Sequence, residues 1–153
     1  MKGSPGVVKE LKDRLAEELA ASIAYTRSFS MFGLWGYRKL ASDAMDRAKD
    51  EMGHAHKLMV RIFELEDTIP TRVGVILTGD DTLSMITSGR DSEKDAIGKY
   101  NRSIEIARAA GDNDTAELFE GILVEETEHM REQDAFLIQI GHMTLANFLS
   151  SML

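Results

Sequence analysis

Apolar residues recur every three or four positions along four long stretches of the chain, which is the period of an amphipathic α-helix. The pattern predicts four long helices and a short fifth one, over about residues 5–32, 37–65, 82–109, 115–140 and 143–152. Gly33 and Gly36 indicate a turn between the first two helices, and the run Gly-Asp-Asn-Asp at 111–114 indicates a turn with a helix cap before the fourth. The chain is therefore predicted to be an all-α protein.

Residues 67–81 separate the two pairs of helices and are rich in Thr, Val and Gly, without a helical period. Fifteen residues extend to about 50 Å, whereas a helix of nearly thirty residues is about 40 Å long. The segment can therefore run along the whole bundle, so that the third helix begins at the end opposite to that where the second one stops. This predicts a four-helix bundle of two hairpins joined by a long crossover, in a single domain over residues 1–153.

Each long helix carries one glutamate near the middle of its apolar face, and two helices add a histidine three positions later on the same face. The six residues are Glu18, Glu51, His54, Glu93, Glu126 and His129. A single acidic residue on an apolar face is most simply a polar residue of the core. Four together are different, because unpaired carboxylates in a nonpolar interior become protonated or cost several kcal/mol each. Two divalent cations would balance them, and carboxylates with imidazoles and no thiolate suit iron, manganese or zinc.

The six residues match the arrangement known from di-metal carboxylate bundles, which gives each residue a role. Glu51 and Glu126 are the candidate bridging carboxylates. The candidates that bind a single metal are Glu18, Glu93, His54 and His129. Tyr25 lies seven residues after Glu18 on the same helix face, so it is a candidate to hydrogen-bond the site or to donate an electron, or else an ordinary core tyrosine.

Composition narrows the function classes further. The 26 acidic residues outnumber the 18 basic ones, for a formal net charge of −8, whereas a nucleic-acid-binding protein needs clustered positive charge. The chain has no cysteine, which excludes a thiolate metal site, a disulfide framework and a cysteine nucleophile. No apolar run after Met1 resembles a signal peptide, and no stretch is long and apolar enough to span a bilayer. We therefore expect a cytoplasmic protein without nucleic-acid or membrane partners.

A second apolar face follows the predicted second helix, on a different side from its glutamate. Met45, Met52 and Met59 recur every seven residues, with Ala48 and Ala55 between them. The first helix shows a similar face, made of Ala16, Ala20, Ile23, Met31 and Leu34. A helix buried on one side needs no second apolar face, so this surface is predicted to contact another subunit, unless its methionines pack under neighbouring loops.

The chain resembles the bacterioferritin family over nearly its whole length. The matching features are the opening Met-Lys-Gly, Glu18 with Tyr25, Met31-Phe32, Trp35-Gly36, Asp-Glu-Met-Gly-His-Ala at 50–55, Arg-Ile-Phe-Glu-Leu-Glu at 61–66 and Glu-Glu-Thr-Glu-His at 125–129. One Glu-x-x-His motif is a weak signal, but two on the appropriate helices are specific. The resemblance implies a ferritin-like four-helix bundle with a long loop between its second and third helices and a short C-terminal fifth helix. It also implies that the six residues above are the ligands of a di-iron site with two iron ions per subunit.

The same resemblance implies a ferroxidase, which oxidises iron(II) with dioxygen and stores the iron(III) mineral in a hollow homo-oligomeric shell of 24 subunits. It implies haem b shared between two subunits and held by Met52 of each, and an electron-donor ferredoxin for iron release. Three features depart from the family pattern. Asp46 stands where some members carry a histidine on the inner surface of the shell, although Asp46 and Asp50 together could still hold a cation. Gly53 lies within the second helix, and the match of Glu93 depends on a one-residue length difference in the preceding loop.

Other interpretations stay open. A rubrerythrin-like peroxide reductase would use a similar centre with peroxide as the oxidant, although that family usually adds a cysteine-rich electron-transfer domain and an extra glutamate. A non-catalytic bundle would hold two metals only to neutralise its carboxylates. A DNA-protecting mini-ferritin fits less well, because its sites lie between subunits and lack the doubled motif.

Overall fold

The computed structural model of the chain describes residues 2–153, in which five α-helices are connected by short turns and one long loop. The helices are α1 (Pro5–Trp35), α2 (Arg38–Glu64), α3 (Thr82–Ala109), α4 (Asn113–Met143) and α5 (Leu145–Ser151). No strand forms within the described residues, so the predicted all-α class is confirmed. None of the helices of residues 2–153 is both long enough and apolar enough to cross a membrane.

Two helices extend beyond their predicted ends. α1 continues through Gly33 to Trp35 and stops only where Gly36 adopts a φ of 88°, a left-handed conformation that glycine takes without strain. α4 begins at Asn113 because the side chain of Asp112 accepts a hydrogen bond from the backbone N–H of Thr115 at 3.0 Å and so caps the helix. A glycine inside a helical pattern weakens the helix without ending it. This explains why α1 continues through Gly33 beyond its predicted end at residue 32.

The helices form two antiparallel hairpins, α1 with α2 and α3 with α4, joined by the loop of residues 65–81. The loop follows α1 along its length, in the same direction. A salt bridge of 2.6 Å joins Lys12 to Asp67 near the start of the loop, and one of 2.7 Å joins Arg27 to Asp80 near its end. α3 therefore begins beside the C-terminal half of α1, as the predicted crossover requires.

Two apolar clusters fill the interior of the bundle and leave a polar layer between them. One cluster contains Val7, Val8, Leu11, Leu15, Ala55, Leu58, Ile62, Leu65, Tyr100, Ala107, Ala116, Phe119 and Ile122. The other, toward the opposite end, contains Phe32, Leu40, Ala41, Ala44, Met85, Ile86 and Phe148. Because Phe148 lies on α5, the fifth helix closes that end of the bundle. The polar layer lies at mid-height on all four long helices and is thereby shielded by hydrocarbon above and below.

The second apolar face predicted on α1 and α2 is largely covered within the subunit. Its alanines are buried, and they are Ala16, Ala20, Ala48 and Ala55. On α1, the long loop covers this face, because the N–H of Gly74 in the loop donates to the carbonyl of Ala16 at 2.8 Å. Of this face, Met52 and Ile23 remain about half exposed, at 51% and 44%, and Leu34 is open at the end of α1. The surface left for a subunit contact is therefore narrower than the sequence pattern indicates.

Candidate metal centre

The polar layer is formed by the six residues that the helix-face pattern singles out, one glutamate from each long helix and one histidine each from α2 and α4. Each of these residues is buried, with no more than 4% of its surface exposed. Positions three apart lie on one face of a helix, so the Glu51–His54 pair and the Glu126–His129 pair both point inward. The structure thus brings all six predicted residues together in one place.

The six side chains divide into two groups of four with metal-binding geometry. One group contains Glu18, Glu51, His54 and Glu126, and the other contains Glu51, Glu93, Glu126 and His129. Within each group, one donor atom from every residue lies within 4.8 Å of the others. Glu51 and Glu126 belong to both groups, which is the arrangement expected of carboxylates that bridge two ions.

Each histidine aims one ring nitrogen at several carboxylates. Nδ1 of His54 lies 2.9 Å from Glu126, 3.2 Å from Glu51 and 3.4 Å from Glu18. A single N–H cannot donate linearly to three acceptors. A ring nitrogen lies close to Oε1 of Glu51 and another lies close to Oε1 of Glu126. Neither oxygen accepts a hydrogen bond, because no N–H points at it. Buried oxygens without donors, arranged around one point, suit a cation better than a proton.

Burial and mutual repulsion distribute the charge unevenly in the metal-free centre. Burial, followed by the charges of Glu126 and Glu51, raises the pKa of Glu18 well above its usual range, and the same causes raise the pKa of Glu93. Burial also opposes ionisation of Glu51 and Glu126, but their hydrogen bonds with the two imidazoles outweigh it and lower the pKa of both carboxyls. The bridging candidates are therefore the ones that stay charged.

Both imidazoles are protonated at neutral pH when no metal is bound. Burial by itself would lower the pKa of each, but hydrogen bonds to the carboxylates reverse the shift. For His129, the hydrogen bond with Glu126 and the negative charge of the nearby Glu51 carboxylate raise the pKa to about 9. The positive charge of two imidazolium groups thus offsets part of the carboxylate charge, and bound divalent ions would displace the Nδ1 protons and supply that positive charge instead.

A second layer of charged residues faces the outer nitrogen of each imidazole. Nε2 of His54 lies 3.0 Å from Glu125, which in turn accepts a hydrogen bond of 3.0 Å from Lys57. Nε2 of His129 lies 3.4 Å from Asp50. Carboxylates at the outer nitrogen hold the ring so that Nδ1 faces the centre, and such partners commonly tune metal affinity. Sequence analysis missed the orienting role of Glu125, whose signal is its place immediately before the second Glu-x-x-His motif.

Two tyrosines donate hydrogen bonds to the centre, and only one of them is a candidate from the sequence. Tyr25 donates a hydrogen bond to Glu93 at 2.5 Å. Of the roles predicted for Tyr25, the geometry therefore favours hydrogen bonding to the centre. Tyr100 on α3 donates to Glu18 on α1 and was not recognised. Its signal was available, because Tyr100 follows Glu93 by the same seven positions that separate Tyr25 from Glu18.

The centre repeats itself across the two hairpins with a constant sequence offset. The second member of each pair lies 75 positions after the first, as Glu93 does after Glu18 and His129 after His54. The pairs are Glu18 and Glu93, Tyr25 and Tyr100, Asp50 and Glu125, Glu51 and Glu126, and His54 and His129. The hydrogen bonds cross between the halves, since Tyr25 reaches Glu93 and Tyr100 reaches Glu18. The two halves therefore offer nearly equivalent metal positions.

A cleft of about 600 Å³ between α1, α3 and the long loop connects the surface with the centre. Its inner wall includes Glu18 and Glu93, and its outer part is lined by charged residues such as Asp13, Glu17 and Lys99. Carboxylates of the centre therefore form part of the wall of this cleft. Met52, the remaining candidate from the sequence, lies outside the centre on the exposed side of α2.

Comparison with known proteins agrees with this geometry. The family model of the ferritin-like domain matches residues 8–143, which include all six residues of the centre. A bacterioferritin of Brucella melitensis is 33% identical over 85% of this chain and 81% of its own length. Bacterioferritins of Streptomyces coelicolor and Mycobacterium tuberculosis are 32% and 30% identical, the first over 100% of this chain and 92% of its own, the second over 85% and 82%.

Proposed function

The chain belongs to the bacterioferritin family of ferritin-like proteins, and from this premise we propose that it oxidises iron(II) and stores it as iron(III) mineral. The observation that carries the proposal is the pair of buried four-residue groups that share Glu51 and Glu126. Four carboxylates and two imidazoles neutralise two divalent ions and supply oxygen and nitrogen donors that suit iron.

In the proposed centre, the two metal positions share their bridging ligands and differ in their terminal ones. Glu18 and His54 hold one iron ion, Glu93 and His129 hold the other, and Glu51 and Glu126 contact both. Two iron(II) ions held there would supply one electron each, which with two protons would reduce one dioxygen to hydrogen peroxide and leave two iron(III) ions. The protein residues set the geometry, release the imidazole protons when the metals enter, and exclude bulk water through the apolar clusters on both sides.

The proposal is tested by oxidation of iron(II) in air, followed by absorbance and by dioxygen consumption. Replacement of a shared ligand in Glu51→Ala should lower the initial rate by more than about tenfold, because it affects both metal positions. Glu128→Ala is the matched control, since Glu128 lies on α4 next to the centre in sequence but is exposed. If the Glu51→Ala variant oxidised iron(II) at the rate of the unmodified protein, the assignment of this site would be wrong.

The same assay separates the alternative functions. Hydrogen peroxide consumed much faster than dioxygen, in the presence of iron(II), would favour a peroxide reductase. Tight binding of two metal ions without accelerated oxidation would favour a non-catalytic bundle. The ferroxidase proposal requires that dioxygen alone supports rapid turnover and that mineral accumulates in the assembled protein.

We also propose that Met52 is an axial ligand of haem b shared between two subunits. The side chain fits the role chemically, because a thioether binds haem iron and 51% of its surface is open on one subunit. Met52→Leu should remove the haem absorption band, whereas Met45→Leu, one heptad earlier on the same helix, should retain it. Protein that takes up haem equally well with Met52→Leu would contradict the assignment.

The stored mineral requires a cavity much larger than the cleft of about 600 Å³ between α1, α3 and the long loop. We therefore propose a closed shell of identical subunits, for which the family implies 24 copies. A ferredoxin is the expected electron donor for iron release.

A further inference from the structure

We propose that Tyr100 is a positioning residue of the metal centre, which holds the carboxylate of Glu18 in the orientation needed by the metal ion next to His54. The inference rests on the proposed di-metal function and adds to it a residue on α3 that is not itself a ligand.

Hydrogen bonding divides the two oxygens of Glu18 between two tasks. Oε1 accepts the hydrogen bond from the Tyr100 hydroxyl, while Oε2 lies 3.4 Å from Nδ1 of His54 and faces the metal position. A carboxylate whose outer oxygen is tied in this way presents one defined oxygen to a metal, instead of rotating between several orientations. Without the hydroxyl, the buried Glu18 carboxylate would still need a cation nearby, but its orientation would no longer be fixed.

The phenol ring of Tyr100 is itself held rigidly. Only 1% of the residue is exposed. Its ring packs against Phe119, with centroids 5.8 Å apart, and the guanidinium carbon of Arg14 lies 6.0 Å from its centroid. These contacts do not involve the hydroxyl, so replacement by phenylalanine removes the hydrogen bond and leaves the packing.

The other half of the centre supplies an independent argument. Tyr25 makes the corresponding hydrogen bond to Glu93, yet its surroundings differ. Gly89 lies close to Tyr25, since a Cβ added to Gly89 would be 3.2 Å from the Tyr25 hydroxyl oxygen. The residue 75 positions before Gly89 is Arg14, and its guanidinium lies beside the Tyr100 ring. The phenol–carboxylate hydrogen bond recurs in both halves although the surroundings of the two rings differ, which supports a role for it at each metal position.

Cobalt(II) titration of the metal-free full-length protein tests the proposal, because the ligand-field absorption of cobalt reports each site without turnover. In a His129→Ala background, where the position next to His54 remains intact, Tyr100→Phe should weaken cobalt binding by about tenfold or more. Tyr25→Phe should have no comparable effect there. In a His54→Ala background, the two tyrosine variants should exchange their effects. With both histidines present, Tyr100→Phe should weaken only one of two cobalt equivalents.

Ile62→Val is the packing control, because it removes a buried methyl group from the same apolar cluster and leaves Tyr100 and its ring contacts with Phe119 and Arg14 unmodified. It should lower the melting temperature while cobalt affinity stays unchanged. Equal cobalt affinity with and without the Tyr100 hydroxyl in the His129→Ala background would overturn the proposal, as would an equal loss in both backgrounds. Failure of the unmodified protein to bind cobalt would instead overturn the proposed function.

Discussion

Buried carboxylates destabilise a helical bundle unless cations or protons offset their charge. In the metal-free protein, the protonated imidazoles of His54 and His129 provide that offset for Glu51 and Glu126. The offset is incomplete, since one oxygen of each bridging candidate lacks a donor. The centre is therefore arranged for a metal-bound state, and the metal-free protein is expected to be the less stable form.

The pKa shift of His129 predicts how stability depends on pH. Its pKa is raised to about 9 in the folded protein, against about 6.5 in an unfolded chain. Protonated His129 therefore stabilises the folded protein fully below about pH 6.5, and this stabilisation is lost as the pH rises through about 9. The loss in the free energy of unfolding is on the order of 1–3 kcal/mol. The melting temperature of the metal-free protein should fall over this range, as thermal unfolding followed by circular dichroism will show.

Two comparisons identify the origin of this pH dependence. His129→Gln should flatten the fall, whereas His56→Gln, which replaces an exposed histidine of α2, should leave it unchanged. Loading with zinc(II) should also flatten it, because the metal replaces the imidazole protons. A melting temperature that rises between pH 6.5 and pH 9 would contradict the assigned charge state.

At the scale of helices, stability depends on how each end is capped. α3 begins with a capping box in which Asp81 accepts from the backbone N–H of Ser84 at 2.8 Å and the Ser84 hydroxyl accepts from the backbone of Asp81. The cap of α4 also ties two helices together. Asp112 accepts from Thr115 and forms a salt bridge of 2.8 Å with Arg61 on α2. The cap of α4 therefore fixes α4 against α2 near one end of the bundle.

This difference predicts that the two caps are not equally important. Asp81→Ala removes an exposed cap and should lower the free energy of unfolding by about 1 kcal/mol. Asp112→Ala removes a cap and a partly buried ionic contact and should lower it by about 2–3 kcal/mol. Urea denaturation at equal protein concentration measures both. Equal losses would show that the contact with Arg61 contributes nothing.

At the scale of the whole molecule, the subunit leaves large apolar side chains on its surface. The most open are Leu34 at 88%, Val75 at 82%, Phe63 at 74% and Val124 at 71% exposure. Single exposed apolar side chains are common on soluble proteins, so these four are candidate contact residues only within the proposed assembly. They fit the proposed shell, in which the same subunit surfaces meet repeatedly.

Leu34 lies at the end of α1 and provides a test of assembly. Leu34→Glu should shift the protein from a very large species to smaller ones in sedimentation velocity, because a charge would have to be buried in a contact. Helical content should not change, since the side chain contacts solvent in the isolated subunit. Leu34→Met is the control and should assemble normally. A stable monomer formed by the unmodified protein would contradict the proposed shell.

Periodicity along the chain was sufficient to predict the helices, the crossover and the six residues of the centre. A helix face is a local property, because residues three and four apart must share it, so apolar positions and the glutamates among them are visible without a structure. The family resemblance then gave those glutamates and histidines their expected roles. The ends of α1 and α4 were less predictable, because they depend on the conformation of Gly36 and on the cap at Asp112.

Only the tertiary structure decided which side chains face one another. The hydrogen bonds from Tyr25 to Glu93 and from Tyr100 to Glu18 join residues 68 and 82 positions apart, and no period along one helix specifies such a pair. The long loop likewise covers Ala16, which the helix pattern places on an open face. Local spacing determines what a helix presents, whereas the packing of separate helices determines what each group meets.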